Sequence, residues 1–150
     1  MERAWDTILK WVAAIGGAIA GAFGGWNVTM TVLVAAMAAD YLSGLAVAGM
    51  GKSTKTDNGG LSSKVGWQGL LRKGMMMLVV LVAALLDNAM GDAHVFRDAA
   101  CWFYVANEGL SLLENLSIAG VPFPAKLKDI LEQTKASNDK IPDSKSENHF

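Results

Sequence analysis

Four carboxylates lie within long apolar stretches of this 150-residue chain: Asp40, Asp87, Glu108 and Glu114. Buried carboxylates serve as acids and bases in catalysis, and they also occur in membrane proteins where they face protein or water rather than lipid. The two interpretations differ in what must accompany the carboxylates. Catalysis requires a nucleophile or a substrate pocket, whereas a membrane assembly requires apolar segments long enough to cross a bilayer.

The sequence shows no companion groups for catalysis. Glu108 and Glu114 would fall on one face of a helix, as an acid–base pair would, but no nucleophile or cofactor site accompanies them. The glycines between residues 16 and 25 lie in an apolar segment, not between a strand and a helix as in a phosphate-binding loop. His94 has only Asp92 and Asp98 close in sequence, which does not match a metal-binding pattern. We therefore expect no enzyme activity, no cofactor and no metal site.

The distribution of charge favours a membrane protein. Charged residues are nearly absent from 11–39, 41–51 and 74–86, and they are concentrated in 52–73 and 126–150. A helix that crosses a bilayer needs about 20 consecutive apolar residues. We predict an all-α, polytopic membrane protein whose transmembrane domain covers residues 1–121, with spans at about 8–25, 28–49, 74–90 and 99–121. A polar cytoplasmic loop is predicted over residues 50–73.

The first predicted span is rich in glycine and alanine. Gly17, Gly21 and Gly25 recur at every fourth position, and small residues at this spacing let two membrane helices approach closely. We therefore predict that these glycines pack against another helix. The same composition makes the span weakly hydrophobic, so only three spans remain if it is not inserted.

The fourth predicted span has one polar face. Such a helix either lines a water-filled space in an oligomer or lies flat on the membrane surface. Together with the carboxylates of the other spans, this face gives the predicted pore-lining or polar intramembrane residues: Asp40, Asp87, Asn107, Glu108, Ser111, Glu114 and Asn115.

The basic residues predict the orientation. Twelve of the thirteen lysines and arginines fall in the amino end, the 50–73 loop and the tail, and only Arg97 falls in the predicted loop at 91–98. Because basic residues are enriched in cytoplasmic loops, both termini are predicted to be cytoplasmic. The tail, residues 122–150, is predicted to contain a short helix at 125–135 and to be disordered after about 136. A formal net charge of −1 without a dense basic stripe gives no reason to expect nucleic-acid binding.

Four motifs stand out along the chain: 40–44 (DYLSG), 61–73 (LSSKVGWQGLLRK), 106–115 (ANEGLSLLEN) and 120–127 (GVPFPAKL). In this order they closely resemble the toxin-secretion/phage-lysis holin family over about residues 28–133. The most distinctive residues of the first two motifs are Asp40, Tyr41, Gly44, Ser62, Ser63, Lys64, Gly66 and Gly69.

This resemblance implies a small protein of the bacterial cytoplasmic membrane that accumulates, forms homo-oligomers and opens lesions in the bilayer. A cell-wall hydrolase, or in some relatives a toxin, then leaves the cytoplasm without a need for direct contact with the lesion-forming protein. Two alternatives from other classes are a small ion-conducting channel and a membrane scaffold that forms no pore.

Overall fold

The computed structural model describes residues 2–91 and 94–138, apart from the side chains of residues 2, 131 and 134–138. These residues form five helices: α1 (Glu2–Ala22), α2 (Val28–Gly49), α3 (Ser63–Met90), α4 (Val95–Ala119) and α5 (Ala125–Asn138). The described part of the chain contains no strand. The predicted all-α class is therefore confirmed.

Side-chain caps determine where α2 and α3 begin. The Asn27 side chain accepts a hydrogen bond from the Met30 N–H at 3.0 Å, and the Ser62 hydroxyl accepts one from the Val65 N–H at 3.4 Å. Each bond satisfies a backbone donor that has no partner within the helix. Because Ser62 caps α3, the helix includes residues 63–73, which the hydropathy pattern assigns to a polar loop. The connection between α2 and α3 is correspondingly shorter, from residue 50 to residue 62.

The first helix ends earlier than the predicted span. α1 stops at Ala22, and Gly24 and Gly25 then adopt left-handed backbone angles, with φ of 73° and 93°. Glycine adopts this conformation without the steric penalty of a Cβ atom. Gly25 therefore lies in the turn before α2 and does not continue the helix face of Gly17 and Gly21.

The carboxyl-terminal part also differs in its bounds. α4 begins at Val95 and ends before Gly120, whose left-handed φ of 81° terminates the helix. α5 extends to Asn138, beyond the predicted end of the short tail helix. The predicted disorder of the rest of the tail concerns residues 139–150, which lie outside the described residues.

Helices α2 and α4 run parallel. Asn27, at the start of α2, donates to the Asp98 carboxylate in the first turn of α4 at 3.4 Å. In the second half of both helices, Asn115 of α4 donates to the Asp40 carboxylate of α2 at 3.2 Å. One contact joins the starts of the two helices and the other joins their second halves, so the helices run in the same direction.

Helix α3 runs antiparallel to α2 and α4. Asp87, near the end of α3, contacts the backbone of Arg97 at the start of α4. Lys73, in the first half of α3, contacts Glu108 in the second half of α4. The core between these three helices is apolar and rich in methionine, and its buried members are Phe23, Met30, Leu33, Met37, Val80 and Cys101.

Two helices have the length and apolar composition of membrane spans within the described residues, namely α2 and α3. In the most apolar 18-residue stretch of each helix, only 22% of the residues of α2 and 17% of those of α3 are buried inside the molecule. A core helix of a soluble protein would be mostly buried. Large apolar side chains such as Leu78, Val82 and Leu85 instead face outward, where a bilayer would cover them. Spans in α1 and α4 stay predictions.

Helix α1 is almost unpacked in the single chain. Every side chain from Arg3 to Ile19 is exposed, and α1 approaches only α3 among the described helices. A Cβ atom added at Gly17 or Gly21 would meet nothing within 4 Å. The small-residue face of α1 thus has no neighbour among the described residues of its own chain.

Candidate functional site

Lys73 joins two carboxylates from different helices inside the bundle. Its ammonium group lies 2.7 Å from Asp40 Oδ2 and also pairs with Glu108 Oε2. The side chains of Lys73, Asp40 and Glu108 are only 12%, 8% and 3% exposed. We call these three residues the ion network. It connects α2, α3 and α4 through charges that are shielded from the surroundings.

Polar neighbours satisfy further atoms of the network. Asn115 donates through its amide nitrogen to Asp40 Oδ1 at 3.2 Å and to Ser43 Oγ at 2.9 Å. The Ser43 hydroxyl in turn donates to the Asp40 carbonyl at 2.9 Å, and Ser111 lies beside the Asp40 carboxylate. Buried charges are tolerated when they are paired and hydrogen-bonded. These contacts, together with Lys73, therefore explain how Asp40 remains inside an apolar bundle, and Glu108 is held there by its pairing with Lys73.

The ion network contains one cation and two anions. With both carboxylates ionised, the three groups carry a net charge of −1. The network lies about 16 Å along the α4 axis from Arg97, at 1.5 Å per residue. A hydrocarbon core is about 30 Å thick, so a network at this depth would lie within it if α4 crosses the membrane.

A second polar cluster forms at the end of the bundle where α2 and α4 begin. The Arg97 side chain is 1% exposed and lies inside this cluster. Its Nη1 donates to the carbonyl oxygens of Phe23, Gly24 and Gly25 at 2.9, 3.3 and 3.1 Å, and its Nε donates to Asp98 at 3.1 Å. One buried guanidinium thus fixes the turn between α1 and α2 against α4.

Asp87 caps α4 from the neighbouring helix. It is fully buried, and its two carboxylate oxygens accept hydrogen bonds from the N–H groups of Phe96 and Arg97, each at 2.9 Å. The residue before α4, His94, has a left-handed φ of 69° and makes no side-chain capping bond. A carboxylate at a helix N-terminus satisfies free donors and interacts favourably with the helix dipole. Asp87 therefore supplies the cap that His94 does not.

The predicted pore-lining residues have unequal environments. Asp40, Asp87, Glu108 and Asn115 are buried and have partners within the chain. The remaining three lie on α4, where Asn107 and Ser111 are partly buried and Glu114 is exposed. In this conformation most of the predicted polar residues therefore bond to protein, and each of the four buried ones has a partner within the chain.

The motif residues that resemble the holin family hold α2 against α3. Gly66 and Gly69 lie on the face of α3 that meets Tyr41 of α2. A Cβ atom at Gly66 would lie 3.5 Å from the tyrosine hydroxyl oxygen, and one at Gly69 would lie 3.8 Å from the tyrosine ring. Ser62 is the N-cap of α3, and Asp40 belongs to the ion network. The motif is therefore mainly a helix-packing and charge-pairing motif.

Lys73 and Arg97 are site residues that the sequence pattern does not identify. Hydropathy assigns Lys73 to the 50–73 loop, where it is one of the basic residues that predict the orientation. In the structure it lies inside α3 and is paired with two acids. Arg97 counts as the single cation of a short loop, but it is buried. The available signal is weak: each is a basic residue close to an apolar segment, with carboxylates in neighbouring segments.

Comparisons with known proteins agree with the motifs. Residues 17–136 match the sequence model of the bacteriophage holin family. A probable holin of Bacillus phage phi105 is 43% identical over 79 residues, which cover 53% of this chain and 58% of that protein. No solved structure matches the chain.

Relatives in bacterial genomes match over more of their length. An uncharacterised 14.9 kDa protein of Clostridium perfringens is 35% identical over 127 residues, covering 83% of this chain and 91% of the relative. An uncharacterised protein of Listeria monocytogenes is 37% identical over 127 residues, covering 84% and 86%. With its helical, membrane-type segments and a match over most of its length, this chain belongs to the bacteriophage holin family.

Proposed function

We propose that this protein acts as a holin, forming homo-oligomers in the cytoplasmic membrane of the bacterial host. The oligomers open lesions that release a cell-wall hydrolase, or a toxin, and so trigger lysis of the host cell. Family membership and the similarity to a probable phage holin support this class of function. The observation that carries the mechanism is the ion network, in which Lys73 shields Asp40 and Glu108 inside a bundle with an apolar exterior.

The shielded network accounts for a closed, harmless monomer. A holin must accumulate before it acts, and an unpaired carboxylate in lipid would oppose insertion. Pairing with Lys73 lowers that penalty while the chain is alone. Opening would exchange these partners for water, so that the polar residues face a lumen shared by several copies: Asp40, Asp87, Asn107, Glu108, Ser111, Glu114 and Asn115.

Helix α1 is the candidate surface for clustering. Gly17 and Gly21 face open space in the single chain, and small residues at this spacing favour close contacts between membrane helices. As the surface density of the protein rises, contacts through this face would compete with contacts to lipid. The partners are therefore further copies of this chain and the bilayer, and the hydrolase needs no direct contact with the protein.

The proposed topology is multi-pass with both termini in the cytoplasm. The parallel arrangement of α2 and α4 puts the 50–62 connection and the segment after α4 at one end of the bundle. Most basic residues of the described ranges lie in or next to these two segments, which supports a cytoplasmic position for this end. The turn before α2 and the start of α4 lie at the other end, with Arg97 buried between them. Lys73 no longer counts as a loop residue, but the asymmetry of the remaining cations supports the same orientation.

The test is inducible expression in bacteria, with and without a co-expressed cytoplasmic cell-wall hydrolase, followed by culture turbidity and viability. We expect abrupt lysis that requires both proteins. Replacing Glu108 and Glu114 by leucine should preserve membrane insertion and abolish lysis, because Lys73 keeps Asp40 as a partner while two carboxylates of the proposed lumen are removed. Lysis at the parental time in this double variant would contradict the lumen assignment.

A small ion-conducting channel is the second candidate, because a chain of buried charged groups across three helices also suits ion relay. A narrow channel passes ions but retains folded proteins. Release of a folded cytoplasmic enzyme after induction would exclude the channel, and loss of membrane potential with full retention of the enzyme would favour it.

A further inference from the structure

A cavity of about 340 Å³ opens between the second half of α2, the 50–62 connection and the first half of α3. Its size is within the range of small-molecule sites, roughly 300–1,000 Å³. Asp40 and Lys73 of the ion network form part of its wall. The cavity is separate from the polar cluster around Arg97, which lies at the opposite end of the bundle.

Two exposed cations lie at the cavity. Lys55, from the connection, and Arg72, from α3, both line the cavity and are exposed. Neither forms an ion pair within the described residues, whereas Lys73 is already paired with two carboxylates. At longer range Lys55 acts on Asp40 and Arg72 on Glu108. Neither cation contacts a carboxylate in the described part of the chain, so both can contact an incoming anion.

The rest of the wall is largely apolar. Its apolar side chains include Leu45, Ala48, Leu61 and Val65, and its uncharged polar side chains include Ser53, Thr56, Ser62 and Gln68. On the adjoining outer surface of α3, Trp67 is 60% exposed, and tryptophan is enriched at the boundary between lipid and water. A ligand with an anionic group and an apolar part matches the residues that line this cavity.

We infer that this cavity binds one anionic phospholipid. The phosphate group contacts Lys55 and Arg72, and the proximal part of an acyl chain lies along Leu45 and Val65. Arginine and lysine are suited to phosphate recognition, arginine through paired donors and lysine as a point charge. A free phosphate would use the two cations but not the apolar wall. Lipid binding here requires a membrane protein but not lesion formation, whereas its effect on opening rests on the proposed function.

Binding at this place would stabilise the closed conformation. The lipid would touch α2, the connection and α3 at once, next to the carboxylate that Lys73 shields. A ligand that binds only one conformation raises the equilibrium constant for that conformation by a factor of 1 + L/Kd, where L is the ligand concentration. The lipid composition of the host membrane would then affect the time at which the protein opens.

The test is native mass spectrometry of the full chain in a neutral detergent, titrated with short-chain phosphatidylglycerol or phosphatidylcholine. The cavity variant is Lys55→Gln/Arg72→Gln. The matched control is Lys52→Gln/Lys64→Gln, which removes two positive charges from the same connection and helix but from outside the cavity wall. We expect the cavity variant to bind phosphatidylglycerol about tenfold more weakly or worse, because two charge-assisted contacts are lost, and the control to stay within about twofold of the parent.

A third variant tests the cavity without changing charge. Ala48→Leu places a larger side chain at the wall and should also weaken phosphatidylglycerol binding, while circular dichroism reports whether the helices are retained. Equal loss in the cavity variant and the control would overturn the inference in favour of diffuse attraction to charge. Unchanged affinity in the cavity variant, or competition by glycerol phosphate at the affinity of the lipid, would overturn it as well.

Discussion

Replacement of Lys73 by methionine is the most informative perturbation of the ion network. Methionine keeps the length and apolar stem of the side chain but removes the only cation that contacts Asp40 and Glu108 among the described residues. Both carboxylates would then remain buried, at 8% and 3% exposure, without a counter-charge. Breaking a buried ion pair by removing one partner costs about 3–5 kcal/mol. At about 1.4 kcal/mol per factor of ten, the folding equilibrium should shift by roughly a hundredfold to a few thousandfold.

The assay is a denaturing-detergent titration of the purified full chain in mild micelles, monitored by circular dichroism and tryptophan fluorescence. Lys52→Met is the matched control, because Lys52 is exposed in the connection and should change stability by less than about 0.5 kcal/mol. The variant Asp40→Asn/Lys73→Met/Glu108→Gln removes every charge of the network and should recover most of the lost stability. A Lys73→Met protein within about 1 kcal/mol of the parent, or a triple variant as unstable as the single one, would refute the reasoning.

Three further perturbations address the other contacts. Asp87→Ala removes the cap of α4 and should cost about 1–3 kcal/mol, with faster hydrogen exchange at the N–H groups of Phe96 and Arg97; unchanged exchange there would contradict the capping role. Arg97→Gln should free the turn between α1 and α2, seen as increased proteolysis near that turn, and a parental cleavage pattern would show that other contacts hold it. Gly17→Leu/Gly21→Leu should leave insertion intact and delay lysis, measured by culture turbidity and by cross-linking of oligomers; parental timing would remove α1 from the clustering surface.

The fold class could be predicted because it depends on local signals. Apolar runs of bilayer length indicate α2 and the second half of α3, and the glycines at 24, 91 and 120 mark helix ends. The start of α3 was harder to place, because hydropathy reports where a segment turns apolar and not where a helix begins. Ser62 is a typical N-cap residue and the first half of α3 mixes apolar and basic residues, but hydropathy alone does not detect a cap.

The site could be predicted only in part, because its pairs are distant in sequence. Asp40 and Glu108 were recognisable as polar residues in apolar segments, but their common partner Lys73 is 33 and 35 residues away from them. A hydropathy pattern contains no information on such pairing. Without a visible partner, a carboxylate in a span is naturally assigned to a water-filled lumen. In the structure these carboxylates are paired within the chain instead. A water-filled lumen therefore belongs only to the proposed open oligomer.

The same limit applies to Asp87 and Arg97. From sequence, Asp87 is a carboxylate at the end of a span, and its role as a cap becomes visible only when α4 is placed against α3. Arg97 is one basic residue in a short loop until the carbonyls of the preceding turn are brought to it. Both roles depend on the relative placement of helices, which the described contacts supply.

The central claim is that copies of this chain assemble in a bilayer into lesions large enough for a folded enzyme. It is tested most directly by reconstituting the purified protein into sealed vesicles that contain a small dye and a folded fluorescent protein. The protein-to-lipid ratio is then raised in steps. The account predicts that both cargoes are retained at low density and released together above a threshold density. Release of the dye with retention of the fluorescent protein at every density, or sealed vesicles throughout, would contradict it.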